Sequence, residues 1–144
     1  MTSVVDTSVK HFTSQMTGAT TLSGTAGSLI ALLDACLKDG FDIKTLSSLT
    51  VAGGVATAAY TGAHSATVDS VVLIAGVTGG PTGFAGLNGE QKITARAPAG
   101  NSVSFATALP DGTYTGTVTM KMAPLGWTKV YAGTNKAVYK SADP

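Results

Sequence analysis

The sequence predicts a mainly β protein: a single β-sandwich of jelly-roll or Greek-key type, with one amphipathic helix near the N-terminus. Three observations carry this. From residue 43 onward the chain reads as about eight short segments of strand length, punctuated by Gly-, Pro- and Asn-containing turns. The clearest segment, "TYTGTVTMKMA", alternates with period two, placing Val118, Met120 and Met122 on one face and Thr117, Thr119 and Lys121 on the other. One stretch only, ahead of all the strands, has helical period.

Taken in order, residues 1–24 are polar, β-branched and without a clean period, so they are expected to form an extended arm, with a short strand near Val4 to Val9. Residues 25–144 then form the single sandwich domain, opening with a helix over 25–39. Thr25 is the expected N-cap, and Gly40 stands where a left-handed residue ends a helix. Leu29, Leu32, Leu33, Cys36 and Leu37 follow the spacing of one buried stripe, while Asp34 and Lys38 pair i to i+4 on the exposed side.

"SLTVAGGVATAAY" predicts two strands joined by a tight turn at Ala52-Gly53-Gly54. "SVVLIAGV" is continuously apolar, as for a strand covered on both faces. "GGPTGFAG" has loop composition, and Asn88-Gly89 before Glu90 is a turn signal. "QKITARA" and "SVSFATA" flank the turn-like "PAGN", and "TKVYAG" and "KAVYKS" close the chain around Gly133-Thr134-Asn135.

Composition narrows the function. The chain has 144 residues, 12% of them charged and with a formal net charge of +1. Its Lys and Arg are scattered, so no basic cluster exists to recognise nucleic acid or an anionic membrane. The longest apolar run, Val71 to Val77, is too short to span a bilayer. "MTSVVDTSVK" lacks the apolar stretch of a signal peptide, and Cys36, the single cysteine, has no intrachain partner. These features point to a soluble protein made in a reducing cytoplasm. So little surface charge suits a chain packed against neighbours.

Chemistry is hard to place. Glu90 is the sole glutamate, with no partner acid nearby in sequence. His11 and His64 have no second ligand at metal spacing. "AHSATVD" holds His64, Ser65 and Asp69, but a triad is defined by geometry and these are common loop residues. The glycine-rich stretches match neither phosphate-binding pattern. We therefore expect no catalytic residue, no metal and no cofactor. The candidate interface residues are Phe12 and Met16 on the arm, and Trp127, Val130 and Tyr131 near the C-terminus. Trp127 also fits as a cap on the core.

"KHFTSQMTGATTLSGTAGSLIALLDACLKDGF", "SLTVAGGVATA", "GLNGEQKITA" and "APLGWTKVYAGTNKAVYKS" together resemble structural proteins of tailed-bacteriophage virions. The resemblance runs from about Lys10 to Ser141, and is most like a capsid cement or decoration protein. It implies a non-catalytic protein on the capsid surface, made in the host bacterium, whose partners are the phage major capsid protein and itself, as dimer or trimer. A tail, neck or baseplate component is the alternative, and a carbohydrate-binding sandwich a weaker one.

Overall fold

The computed structural model describes Thr7 and residues 9–141. The fold is mainly β and antiparallel, with one 12-residue helical segment and a short 3-10 helix at Phe84–Leu87, and its arrangement is sandwich-like. The expected strand at Val4–Val9 falls outside the described residues except for Thr7 and Val9, neither of which is in a strand.

Helix α1 (Ser28–Leu33) runs directly into a π-helical turn, Asp34–Asp39. Thr25 accepts the Ser28 N–H on its carbonyl, but the residue before the helix is Gly27 and no side chain caps it. Gly40 ends the segment at φ 74°, donating its N–H to the Ala35 carbonyl at 2.9 Å. The expected buried stripe is corrected. No residue of the segment is fully buried, and Leu29 is 54% exposed. The physical reason is position: the helix packs on the arm and on a C-terminal hairpin, outside the main core.

The strands are β1 (Phe41–Ala52), β2 (Val55–Tyr60), β3 (Val71–Ala75), β4 (Gly89–Lys92), β5 (Ala95–Arg96), β6 (Ser102–Ala106), β7 (Gly112–Tyr114), β8 (Thr119–Met122), β9 (Thr128–Gly133) and β10 (Lys136–Lys140). Ala52 pairs with Val55 across Gly53 (φ 58°) and Gly54 (φ 79°), the doubly left-handed turn that "AGGV" encodes. β1 is long enough to bridge two half-sheets. Phe41–Thr45 pairs with β8, and Leu49–Val51 pairs with both β2 and β7.

The ladder runs β4-β3-β8-β1-β2-β6-β5. Its two ends are one piece of chain, because β4 continues into β5 through Ile93 and Thr94. Ile93 donates to Ser70 O (2.8 Å) on the β3 side, and Thr94 donates to Ser104 O (2.8 Å) on the β6 side. The sheet therefore closes on itself. In space β2 lies beside β6, on the side away from β5. β9 and β10 pair only with each other, as a separate hairpin.

One core fills the closed sheet. Phe105, Leu49, Ile74, Leu87, Ile93, Met120, Met122, Val72 and Val103 are its large fully buried apolar side chains. Val118, Met120 and Met122 point inward, as their alternation requires. The core contains no residue of the helix or of the β9–β10 hairpin.

Candidate functional site

The hairpin is exposed along most of its length. Its last turn is set by Asn135, at φ 58°, in "GTNK". Tyr131 faces Val138 across the ladder, and the register slips between Val138 and Tyr139 to leave Val130 as the extra residue on β9. Val130, Tyr131 and Val138 are 56%, 52% and 52% exposed, three sizeable apolar side chains on a sheet of two strands.

A polar latch fixes this hairpin to the helix. The Tyr139 hydroxyl donates to Asp34 Oδ1 at 2.6 Å, and Lys129 Nζ lies 3.0 Å from Asp34 Oδ2. The hydrogen bond from Tyr139 and the Lys129 ammonium hold the Asp34 carboxyl below its ordinary range. Burial, with Asp34 beside it, pushes the Tyr139 phenol up to about 12. The expected Asp34–Lys38 pair gives way to this arrangement, and Lys38 instead meets Asp39 at 2.7 Å. At the base of the hairpin, Leu125 and Trp127 donate their N–H groups to the carbonyls of Cys36 and Leu37.

The arm is tied to its own domain. Lys10, nearly buried, meets Glu90 at 3.1 Å, which gives the lone glutamate its role. Phe12 packs against Phe41 with ring centroids 5.8 Å apart and the rings tilted by 54°, and Met16 packs against the core. Between arm and helix lies a mainly apolar cleft of about 330 Å³, walled by Phe12, Leu22, Leu32, Leu33, Cys36 and Phe41. Burial raises the Cys36 thiol pKa.

A second polar cluster sits in the crossover of residues 61–70, which holds all three buried polar residues among those described: His64, Ser65 and Ser70. A buried crossover must satisfy its own backbone, and these side chains do so. His64 Nδ1 accepts the Ala66 N–H at 3.0 Å, while Ser70 Oγ accepts the Thr67 N–H at 3.1 Å. Asp42, at φ 57°, accepts the Ser65 N–H at 2.8 Å on Oδ2. The single Ser65 hydroxyl proton is shared between Asp42 Oδ2 (2.9 Å) and Thr17 O (3.0 Å), which joins crossover to arm. Burial lowers the His64 pKa, and Asp42, at 3.8 Å, opposes that shift. Asp69 is not part of the cluster; it lies near Lys92, 3.8 Å away. The sequence grouping His64–Ser65–Asp69 is thus replaced by His64, Ser65 and Asp42, with the serine hydroxyl directed to the carboxylate and to a carbonyl.

Of the interface candidates, the structure brings Val130 and Tyr131 together in the open, on the hairpin. Phe12 and Met16 are half-buried against Phe41 and the core, and Trp127 is half-buried where the chain enters β9. Sequence reasoning missed Val138, Tyr139 and Asp34. Only the alternation of "KAVYKS" hinted at the first two, and nothing linked Asp34 to a residue 105 positions away. Among the described residues no helix is long and apolar enough to cross a membrane, and no three His, Cys, Asp or Glu side chains are placed to hold a metal ion. Comparison with family models, curated proteins and solved structures gives no match to this chain.

Proposed function

We propose that the protein is a non-catalytic structural component of a tailed-phage particle, bound to the outside of the capsid and clamping neighbouring major capsid subunits. The observation that carries this reading is the β9–β10 hairpin. It stands apart from the closed sheet, contributes nothing to the core, and exposes Val130, Tyr131 and Val138 on a fixed support. Exposed aromatic and branched apolar side chains on a pre-positioned element are what a protein interface uses as anchors.

The mechanism follows from linkage. A protein that binds sites formed only by assembled subunits stabilises the assembled state by mass action. Copies bound at symmetry-related sites, or joined as dimers or trimers, add avidity without new contacts.

Gold-labelled antibody on intact particles, viewed by electron microscopy, tests the reading. Label over the head faces is expected. Label confined to the tail or its tip would replace the capsid assignment with a tail or baseplate role, and unlabelled particles would overturn both.

A further inference from the structure

The outer face of the β9–β10 hairpin, we propose, docks onto an acidic, partly apolar surface of a partner protein; this deepens the reading of the chain as an assembly component and rests on it. Residues 128–140 carry Lys129, Lys136 and Lys140 and no carboxylate. Lys129 faces the helix and is neutralised by Asp34. The other two are exposed, and neither forms an ion pair among the described residues.

Their placement is regular. Side chains two apart on a strand share a face, so Lys136, Val138 and Lys140 form one row on β10, with Tyr131 directly across from Val138. The alternate residues, Ala137 and Tyr139, are half-buried on the helix side. The slip in register falls on β9, so the β10 row stays intact. The result is an apolar pair flanked by ammonium groups whose Cα atoms lie about 13 Å apart, from four residues at 3.3 Å each.

Charge complementarity then specifies the occupant. Carboxylates at each end of an apolar depression would neutralise Lys136 and Lys140 while covering Tyr131 and Val138. Lysines that only guard a strand edge against aggregation do not need a bare aromatic between them. A pair of free cations is too few for a phosphate backbone, whose binding scales with the number of charges neutralised. Because the core includes no hairpin residue, variants on this face keep the fold.

The test places the photo-reactive residue p-benzoylphenylalanine at Tyr131 of the full chain, in the cells that naturally make it, and sequences the cross-linked peptide. The expected peptide comes from another protein and combines apolar residues with an excess of Asp and Glu. The double variant Lys136→Glu/Lys140→Glu should cut its yield at least tenfold, with an unchanged melting temperature. If the acidic peptide belongs to a shell subunit, both readings stand. If it belongs to a protein outside any particle, the docking face stands and the capsid reading falls. Cross-links to a second copy of this chain, to nucleic acid or to nothing would overturn the docking face, as would an undiminished yield in the charge-reversed variant.

Discussion

The closed sheet and the layer of helix and hairpin attached to it are built by opposite means. In the sheet, apolar side chains at 0–3% exposure surround one core, and the strands join in one antiparallel ladder. In the attached layer nothing is fully buried on the helix, the hairpin strands pair only with each other, and the main ties are the Asp34, Tyr139 and Lys129 contacts. Stability resides in the first region. The second presents side chains and is held in place by a few polar bonds.

The strongest way to sharpen this contrast is to truncate one side chain in each region. Phe105→Ala, in the middle of the core, should cost about 3–5 kcal/mol in urea unfolding, while Val138→Ala should change stability by less than about 0.5 kcal/mol. Comparable losses at both sites would mean that the hairpin belongs to the same cooperative unit.

Two glycines grade backbone tolerance within the sheet region itself. Gly76 has φ 90°, and a Cβ there would collide with the Thr117 carbonyl oxygen, between β3 and the chain leading to β8. Gly62 has φ 83° but opens onto free space. Gly76→Ala should therefore destabilise by about 2 kcal/mol or more, and Gly62→Ala by about 1 kcal/mol, both read from thermal unfolding.

Protonation separates the regions by pH. His64 has a lowered pKa in the folded state, so the unfolded chain takes up the proton first as pH falls. Its contribution is complete above the ordinary histidine value of 6.5 and declines below it, until the folded form also titrates. Urea midpoints should fall between pH 7 and 5, and His64→Asn should flatten that slope. The groups set against the ring are Asp42, Lys44 and Tyr60. Asp34 acts lower on the scale. Its pKa is depressed, so its stabilisation is present above the ordinary carboxylate value and is lost as pH drops through the folded one.

A small global effect is expected from Tyr139→Phe. Losing one part-buried hydrogen bond should cost about 1 kcal/mol. Hydrogen exchange should nevertheless quicken several-fold in β9 and β10 and stay unchanged in β1, β3 and β8. Unchanged exchange in the hairpin would show that the latch does not hold it.

What could be read from the sequence divides along the same line. Local rules sufficed where one segment decides its own geometry: Gly53-Gly54 made the β1–β2 turn, and Val118, Met120 and Met122 pointed inward. They failed where distant segments meet. The periodic stripe of the helix looks like a core face, yet no helix residue joins the core and Leu29 stays exposed. By composition Asn88-Gly89 is a turn signal. Its asparagine instead bonds the Val77 backbone through both side-chain atoms, at 3.0 and 3.1 Å, ahead of β4. Glu90 was assigned no role, and its partner Lys10 is on an arm with no periodic signal. Among the interface candidates, Val130 and Tyr131 are exposed on the hairpin, while Phe12 and Met16 hold the arm down.

Closure of the sheet also decides how the molecule would carry a pull. Tension applied to the hairpin enters the body by two routes, through the helix and Gly40 into β1, or back along residues 123–127 into β8. These two strands are hydrogen-bonded to each other, and β8 has β3 on its other side, whereas the Phe41–Thr45 part of β1 pairs with β8 and the β2 pairing begins at Leu46. Force returning along residues 123–127 therefore arrives at β8, an interior strand held on both sides, while force through Gly40 loads the ladder between Phe41–Thr45 and β8.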